Sequence, residues 1–574
     1  MTPNLPLQKA YSDPDYPDPD YLSGVIQRYF SKELLTMVRT RYPLVKFSKS
    51  SRRLTFVLLL GSLLLVACNG GDDGSNNAQS RPYNVWQNPY MSLNGGNNIH
   101  NDSYLSDSYP YPGPLTQGQA TVSLLDTATF KDPISGQVRT VLLGECASLA
   151  FDPDGNIQSV CAGMEVPGAT EVQRSVVTVD RNTLAVLAYF QFTKPVTNTG
   201  GVDFGGAGYF YQDHKYRMVV AMPNGHVQVL RRVKSDAGGI DTYTIDGDHN
   251  ITGTGGAVTI PKNSLYAVVP DKSGNIWFTT AQAVVGSIAP NGAIRWSNLN
   301  DPASNSGTSG TEAIGNSHAV DEGDTTDGGS GVYILSTFAL YRFGAAPDGT
   351  PKMAWKAAYD RGTGIKSGQV SFGSGTSPTV FRMNNRRFVT IADNAQYMNV
   401  NVYRAEANLL PGEQRLFAQA KPFGQNPLVS DENSLITAAS ADGSSVDIYA
   451  ENNHGNDTVQ STLGSAVTQP GFARMNLGTD GKFVVASVNN GIAVPSIVSK
   501  ISLPSNTIYT YNKAADGWYV TGLDATDLTK IRFTNRVGDG LLRYNNYYSG
   551  LSLDSDGETL WLGTAYGLMK ARIK

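Results

Sequence analysis

The sequence predicts an all-β fold from residue 118 to residue 574, and three observations support this prediction. Helical periodicity is hard to find after residue 118, whereas short apolar or alternating runs recur, as at 175–179 and 332–336. Asp-Gly, Asn-Gly and Gly-Gly turns separate these runs. The chain has 60 glycines and only 16 % charged residues, and this composition favours tight turns in a large sheet system over disorder.

Two segments, 271–292 and 554–571, repeat one pattern. Each begins with an Asp-containing turn, continues with an apolar strand that contains Trp277 or Trp561, and adds a second turn and a third strand. This is the logic of a propeller blade, in which the turn makes a hairpin and the tryptophan fills the gap between blades. The first segment resembles the repeat of streptogramin-lyase-like propellers, and the second resembles the propeller repeat of two-component-regulator sensors. These resemblances imply a fold more than a function.

Residues 118–574 are therefore predicted to form a single β-propeller of seven or eight blades. Eight is favoured, because a blade takes about 40–50 residues and long insertions reduce the count. The last blade offers only three strands after residue 550. Since an open sheet edge invites aggregation, we expect the strand at 120–125 to join this blade and close the ring.

The N-terminal region carries an apolar run at 54–67 that follows a basic cluster at 46–53 and ends at Cys68. This pattern resembles the signal of a bacterial lipoprotein, and a run of 14 residues is too short for a comfortable membrane span. The resemblance implies cleavage before Cys68, a fatty-acylated thiol and anchoring at the bacterial cell envelope. By resemblance to the enteric sorting rule, a residue other than aspartate directly after the lipidated cysteine, here Asn69, implies the outer membrane or the periplasmic face. A plain secretory signal or a short membrane anchor is the alternative.

Three regions follow from these features. Residues 1–67 are the predicted leader and signal peptide, with a true start predicted at Met37 because the acidic, proline-rich stretch before it has no core pattern. Residues 68–117 are predicted to be the lipidated cysteine and a flexible tether, mobile or lying loosely on the surface, since a chain rich in Gly, Asn and Ser cannot recover its ordering entropy by burial. Its aromatic residues Tyr83, Trp86 and Tyr90 are candidates for docking against the body. Residues 118–574 are the propeller domain.

Cys146 and Cys161 are left as an even pair once Cys68 carries lipid. They lie on either side of the turn at 150–156 in an oxidising compartment, so a disulfide across the hairpin is predicted. Two buried free thiols are the alternative.

The formal net charge of the chain is −4, and the sequence has no basic block that would attract nucleic acid.

Propellers bind ligands where blade loops converge at the mouth of the central channel, and carboxylates stand beside amides at several strand ends. Such oxygen donors suit Ca²⁺ or Mg²⁺. The predicted metal ligands are Glu312, Asp393, Glu432, Asn433 and Asn452. The predicted catalytic residues, as proton carriers, are His318, Glu451 and His454. The residue types are similar to those of gluconolactonase-like hydrolases and streptogramin lyases, although no spacing-defined motif matches. The alternative is that Asp and Asn at strand ends cap turns through their own backbone.

Two functions remain open. In the first, the protein binds a small molecule or cation at the channel mouth, and a metal-assisted hydrolase or lyase activity is one extension of it. In the second, it is a non-catalytic scaffold or protein-interaction lipoprotein of the envelope, resembling in anchor and expected fold the assembly-factor lipoprotein of the outer-membrane β-barrel machinery. The expected partners are a lipid membrane, through Cys68, and a small-molecule ligand or envelope protein. A quinoprotein dehydrogenase ranks last, because the Trp-containing signature of that family is not present.

Overall fold

The computed structural model describes residues 81–574 except 94–95, 116, 163–170, 196–207, 236–238, 253–264, 301–310 and 324–328. The predicted signal peptide, Met37 and Cys68 lie outside the described residues, so the signal peptide and the anchor stay predictions. The described part falls within one compact unit, Gln79–Lys574. No helix in the described part of the chain has the length and apolarity to cross a membrane.

The first half of the chain contains sixteen strands among the described residues. In chain order they are β1 (Ser108–Tyr109), β2 (Ala120–Leu125), β3 (Thr127–Lys131), β4 (Val138–Leu142), β5 (Glu145–Phe151), β6 (Ile157–Ala162), β7 (Glu171–Val179), β8 (Val186–Pro195), β9 (Tyr211–Gln212), β10 (Met218–Ala221), β11 (His226–Val233), β12 (Thr242–Asn250), β13 (Leu265–Pro270), β14 (Ile276–Thr280), β15 (Val284–Ile288) and β16 (Ile294–Asn298).

The second half contains nineteen described strands and two short 3₁₀ turns, at Val459–Thr462 and Leu542–Tyr544. The strands are β17 (Ala319–Val320), β18 (Val332–Leu335), β19 (Ala339–Ala345), β20 (Pro351–Ala358), β21 (Thr379–Met383), β22 (Arg386–Ala392), β23 (Val400–Arg404), β24 (Leu416–Ala420), β25 (Ile436–Ala439), β26 (Ser445–Glu451), β27 (Phe472–Gly478), β28 (Phe483–Asn489), β29 (Lys500–Ser502), β30 (Thr507–Ala514), β31 (Gly517–Asp524), β32 (Ile531–Gly538), β33 (Leu551–Leu553), β34 (Thr559–Thr564) and β35 (Gly567–Ile573).

These strands form an eight-bladed β-propeller, as the sequence predicted. Blades one to seven are successive four-stranded antiparallel meanders, β5–β8 through β29–β32, each with its first strand innermost. Blade seven gains the short parallel strand β1 on the inner edge of β29. Blade eight combines β33, β34 and β35 with β2. A separate hairpin, β3–β4, belongs to none of the blades.

Ring closure follows the prediction. β2 pairs antiparallel with β35 from Ala120 opposite Ile573 to Leu125 opposite Leu568. The last blade therefore takes its outermost strand from the start of the domain. This covers the edge of β35 that three strands alone would leave open.

The two sequence repeats share one buried hydrogen bond. The Trp277 indole N–H donates to the Asp271 carboxylate at 2.9 Å, and the Trp561 indole donates to the Asp554 carboxylate at 3.1 Å. In each case the carboxylate also accepts amide bonds from its own turn, so one Asp shapes the hairpin and orients the tryptophan. Both indoles are fully buried and satisfied.

The predicted disulfide is present. Cys146 on β5 and Cys161 on β6 are cross-strand partners in blade one, and their sulfurs are bonded. The bond closes the hairpin around the 150–156 turn, where Asp152 accepts the Asn156 amide at 2.8 Å. The buried apolar side chains lie mostly between neighbouring blades; Trp518 and Val520 of blade seven share one cluster with Met569 of blade eight.

The segment 96–111, called here the axial segment, differs from the sequence prediction. The sequence placed it in a flexible tether, but its residues from 96 to 109 are buried along the inner strands. Successive blades donate backbone amides to its carbonyls: Val320 to Ser103 at 2.6 Å, Val380 to Tyr104 at 2.8 Å, Thr437 to Ser106 at 3.2 Å and Ile501 to Asp107 at 3.0 Å. Toward blade two, the Gln212 amide donates to the Asn97 carbonyl at 2.8 Å.

The physical reason for this correction is the hydrogen-bonding demand of the channel. Each innermost strand presents one edge of unpaired amides and carbonyls toward the axis. A segment rich in Asn, Ser and Asp contributes little to a hydrophobic core, but its polar groups can form hydrogen bonds with these unpaired amides and carbonyls. Tyr83 and Trp86, just before the axial segment, also pack against buried clusters of the propeller. The propeller unit therefore includes residues that the sequence assigned to the tether.

Candidate functional site

The two mouths of the channel are unlike each other. The innermost strands begin at one mouth, called here the upper mouth, and end at the lower mouth. The axial segment fills the lower part, where Gly96 lies against Phe151 at the end of β5 and the Tyr111 hydroxyl donates to the Leu553 carbonyl at the end of β33. The upper mouth is therefore the candidate site.

The loop before β25 organises the acidic part of the upper mouth. Asp431 accepts the amides of Asn433 and Glu451, both at 3.0 Å. The Asn433 amide group donates to the Glu451 carboxylate at 2.9 Å and to the Ile497 carbonyl at 2.7 Å. The Asn453 side-chain carbonyl accepts the Glu432 amide at 2.8 Å. We call Asp431, Glu432, Asn433, Glu451 and Asn453 the mouth cluster.

Burial sets the electrostatics of this cluster. Desolvation raises the pKa of Glu451 to about 7, and bonds from Ser499, Asn433 and Asn453 offset it only in part. Desolvation also raises the pKa of Asp431 well above its ordinary value, with repulsion from Glu451 adding to it. Carboxylates that are buried close together favour the protonated form unless a cation binds beside them.

Glu432 differs from its neighbours because one of its two carboxylate oxygens is buried without a hydrogen-bond partner. The residue is 8 % exposed. One oxygen, Oε1, accepts the Val370 amide at 2.9 Å, whereas Oε2 is buried without a hydrogen-bond partner. A Cβ placed on Gly375 would lie 1.9 Å from Oε2, so the carboxylate occupies space that only glycine leaves open. Desolvation raises the pKa of Glu432 to about 8, and the backbone amides of Val370 and Ser371 offset this only in part.

Four tyrosines, called here the tyrosine wall, stand at the same mouth. Tyr209 precedes β9, Tyr266 lies in β13, and Tyr547 and Tyr548 precede β33, so three different blades contribute rings. They pack into one cluster with Val370, the residue whose amide holds Glu432. The ring centroids of Tyr547 and Tyr548 are 4.9 Å apart, and those of Tyr209 and Tyr266 are 5.6 Å apart. The charge of Glu432 raises the pKa of Tyr209, Tyr547 and Tyr548 further above that due to burial.

A second polar network lies beneath the mouth cluster. Lys500 on β29 donates to the Asp107 carboxylate and to the Ile99 carbonyl, and both charged side chains are fully buried. His100 lies 3.2 Å from Asp107 and 2.7 Å from the Ser434 hydroxyl through its Nδ1. His100 also stacks on Tyr209 at 6.3 Å. The network therefore fixes the axial segment directly below the tyrosine wall.

The structure divides the predicted site residues among three blades. Glu432, Asn433, Glu451 and Asn452 gather in blade six, where Asn452 bonds to the Leu428 carbonyl at 3.1 Å and caps its own loop. His454 follows β26 and is half-buried; desolvation lowers its pKa.

Glu312 and His318 belong to blade four. Glu312 is buried and accepts the Tyr341 hydroxyl at 2.7 Å. Burial lowers the pKa of His318 to about 3, and the Trp277 carbonyl offsets this only in part. Asp393, after β22, accepts the amide of Asn399 at 2.8 Å and its side chain at 2.7 Å, so it holds its own loop as the turn-capping alternative expects.

Sequence reasoning missed several polar residues of the channel. Glu145 is partly buried, accepts a hydrogen bond from the Ser549 hydroxyl, and has its pKa raised by desolvation to about 7. Asp107 and Lys500 also escaped notice, because single charged residues in a polar loop and a short strand carry no pattern. Among the described residues, no group of three His, Cys, Asp or Glu side chains is arranged to hold a metal ion. The calcium or magnesium prediction therefore stays a prediction.

Comparisons with known proteins define no family for this chain. No protein-family model matches the chain. A protein of Archaeoglobus fulgidus described as uncharacterized is 20 % identical over 276 residues, which is 45 % of this chain, and the chain spans about half of that relative (52 %).

Three solved structures illustrate the similarity. BamB from Moraxella catarrhalis has 11 % identity and a TM-score of 0.35, covering 62 % of this chain and 94 % of its own. The quinohemoprotein alcohol dehydrogenase from Comamonas testosteroni has 11 % identity and a TM-score of 0.46, covering 84 % and 81 %. The Dos1 propeller has 8 % identity and a TM-score of 0.41, covering 80 % and 95 %. No property of these proteins is carried over to this chain.

Proposed function

We propose that this protein is a lipid-anchored, extracytoplasmic β-propeller that binds a small molecule or cation at the upper mouth of its channel. One observation carries the proposal: Glu432 holds a buried, unpartnered carboxylate oxygen beside the tyrosine wall. Native proteins pair nearly all buried polar atoms, so an orphaned carboxylate oxygen in a mouth is a candidate ligand contact. The axial segment gives the site a floor.

Ligand binding is tested on the full-length protein in detergent with five probes: CaCl₂, MgCl₂, n-butylammonium, butyrate and glucose. The measurement is the shift in melting temperature after chelator treatment, for the wild type, Glu432→Gln and the control Glu558→Gln. Glu558 is an exposed carboxylate paired with Arg572. We expect at least one probe to stabilise the wild type and the control but not Glu432→Gln. Equal responses in all three proteins, or none, would contradict the proposal.

The calcium or magnesium part of the proposal has its own readout. Chelator should lower the melting temperature of the wild type, and Ca²⁺ or Mg²⁺ should restore it, if the mouth cluster holds a hard cation. A melting temperature that does not change with chelator would contradict a bound metal ion. A hydrolase or lyase activity has less support, because Asn433 and Asn453 already bond to the Glu451 carboxylate and His318 stays neutral at physiological pH.

The membrane anchor belongs to the proposal and rests on the sequence alone. Cys68→Ala should move the protein from the membrane fraction to the soluble fraction, because a lipidated cysteine is the expected tether. Mass spectrometry of the mature N-terminal peptide should show a fatty-acylated Cys68. An unmodified Cys68 in the mature protein would contradict the anchor.

A scaffold function is a second candidate, and the β3–β4 hairpin favours it. Val138 and Leu142 are 74 % and 58 % exposed on one face of this hairpin, and Ile134 at its tip is 89 % exposed. Exposed apolar side chains on an extra sheet outside the blades are typical of a contact surface. Crosslinking in membranes should capture a partner in the wild type and lose it in Val138→Glu. Unchanged capture by that variant would contradict the scaffold role.

A further inference from the structure

The chemistry around Glu432 narrows the class of ligand. No Lys, Arg or His of the described residues lies within ion-pair distance of its carboxylate, whereas the buried Asp107 and Asp321 are paired with Lys500 and Arg387. An unpaired buried carboxylate is expensive and is stabilised most by a cation that also donates a hydrogen bond. The vacant hydrogen-bonding position is Oε2, because Oε1 already accepts the Val370 amide.

The tyrosine wall adds a second, independent requirement. Aromatic faces attract cations, and the attraction grows when the cation leaves water. The Tyr547 and Tyr548 hydroxyls donate to the carbonyls of Asp457 at 3.1 Å and Gly368 at 2.6 Å, so their bonds fix the rings. The wall therefore presents ring surface rather than free hydroxyl donors from these two residues.

From these two features we infer that the upper mouth binds a primary alkylammonium group, whose N–H donates to Glu432 Oε2 and whose charge lies against the tyrosine wall. This inference rests on the proposed function and names its ligand class. A hard metal ion would need several oxygen ligands around it, whereas an alkylammonium needs one carboxylate and aromatic surface. An anion satisfies neither feature, and a neutral sugar supplies hydrogen-bond donors and a stacking face but no positive charge for the carboxylate.

Proton linkage follows from the same geometry. The titratable groups facing Glu432 are Asp431 and the wall tyrosines Tyr209, Tyr547 and Tyr548, and burial raises the pKa of each of them. The empty site carries a proton on Glu432, whose pKa is about 8. The bound cation replaces that proton. Affinity should therefore increase as pH rises toward about 8 and level off above it.

The experiment uses isothermal titration of the full-length protein in detergent. The probes are n-butylammonium, tetramethylammonium, which has no N–H donor, and n-butanol, which has no charge. We expect n-butylammonium to bind at least about fivefold more tightly than tetramethylammonium, and n-butanol not to bind. Equal affinity for n-butylammonium and n-butanol would overturn the inference, because charge would then play no part.

Three variants locate the binding. Glu432→Gln should weaken n-butylammonium binding about tenfold or more, and Tyr209→Leu about threefold to tenfold, whereas Tyr209→Phe should bind as the wild type does because it keeps the ring. If Glu432→Gln does not fold, the Tyr209 pair decides. Equal binding by Tyr209→Leu and Tyr209→Phe would overturn the role of the wall.

The outcomes separate this inference from the proposed function. Glu432-dependent binding of Ca²⁺, glucose or butyrate without any binding of n-butylammonium overturns the alkylammonium site and leaves a ligand-binding mouth in place. No binding of any probe overturns both. Binding of n-butylammonium that Glu432→Gln and Tyr209→Leu leave unchanged places the cation elsewhere and overturns the inference.

Discussion

Lys500 and Asp107 form a fully buried ion pair across 393 residues of sequence, joining the inner strand of blade seven to the axial segment. Desolvation lowers the pKa of Lys500, while the Asp107 carboxylate raises it. The pair draws further contacts from His100 and Ser434. Removing either partner of this buried pair should destabilise the fold strongly, because the remaining charge would stay buried without a counter-charge.

Lys500→Met should therefore lower the free energy of unfolding by about 3–5 kcal/mol. The matched control is Lys530→Met, since Lys530 forms an exposed pair with Asp527 and should contribute about 1 kcal/mol or less. Urea unfolding followed by tryptophan fluorescence measures both. The double variant Lys500→Met/Asp107→Asn should lose less than the sum of the single variants. Equal small losses for Lys500→Met and Lys530→Met would mean that the axial segment is not held by this pair.

The Cys146–Cys161 disulfide should stabilise the first blade. Closing a loop with a sequence separation of 15 contributes about 3 kcal/mol in the chain-entropy model. The double variant Cys146→Ser/Cys161→Ser should lower the free energy of unfolding by that order, measured under non-reducing conditions. The same variant should be insensitive to dithiothreitol, whereas the wild type should melt lower in its presence. A wild type that does not respond to reductant would argue against a stabilising bond.

Ring closure predicts a position-specific effect of proline in β2. The Gln119 amide donates to the Lys574 carbonyl, so the antiparallel alternation directs the Ser123 amide toward Lys570 and the Val122 amide away from β35. Ser123→Pro removes a ladder bond and should destabilise the propeller more than Val122→Pro does. Thermal unfolding by circular dichroism measures the difference. Identical melting of both variants and the wild type would show that β2 does not close the ring.

The buried carboxylates predict a pH dependence. Burial raises the pKa of Glu432 to about 8 and of Glu145 and Glu451 to about 7, so the folded state keeps protons that the unfolded state releases. These three groups therefore stabilise the fold most at low pH, and their contribution declines as pH rises from about 5 to about 8. Glu432→Gln mimics the protonated form and should flatten this decline, whereas Glu558→Gln should not. Parallel melting curves for both variants across this range would contradict the burial of Glu432.

Local patterns in the sequence were sufficient to predict the architecture. The Asp turn followed by a buried tryptophan recurs because one hydrogen bond, Asp271 to Trp277, shapes the hairpin and the gap between blades together. The missing fourth strand after residue 550 identified the strand that closes the ring. The cysteine count identified the disulfide. Each of these features is a local repeat or follows from a simple count of strands or cysteines, and so it can be recognised in the sequence.

Other features depend on convergence, which sequence patterns do not report. The polar composition of 96–111 predicted a tether, because polar residues contribute little to a hydrophobic core. The segment is buried instead by its hydrogen bonds to the edges of the inner strands, which its composition does not reveal. The carboxylates of Glu432 and Glu451 were identified, but their grouping with rings from blades two, three and eight needed the closed ring. Asp393 matched the same residue pattern and instead caps its own loop.

The axial segment is the floor on which the proposed mouth depends, so its protection is the most direct measurement. Hydrogen–deuterium exchange on peptides covering 97–109 should show amides as slow as those of the innermost strands, because the segment bonds to those strands and is buried. Exchange of these amides within seconds, at the rate of an exposed linker, would contradict the account of a channel closed from below.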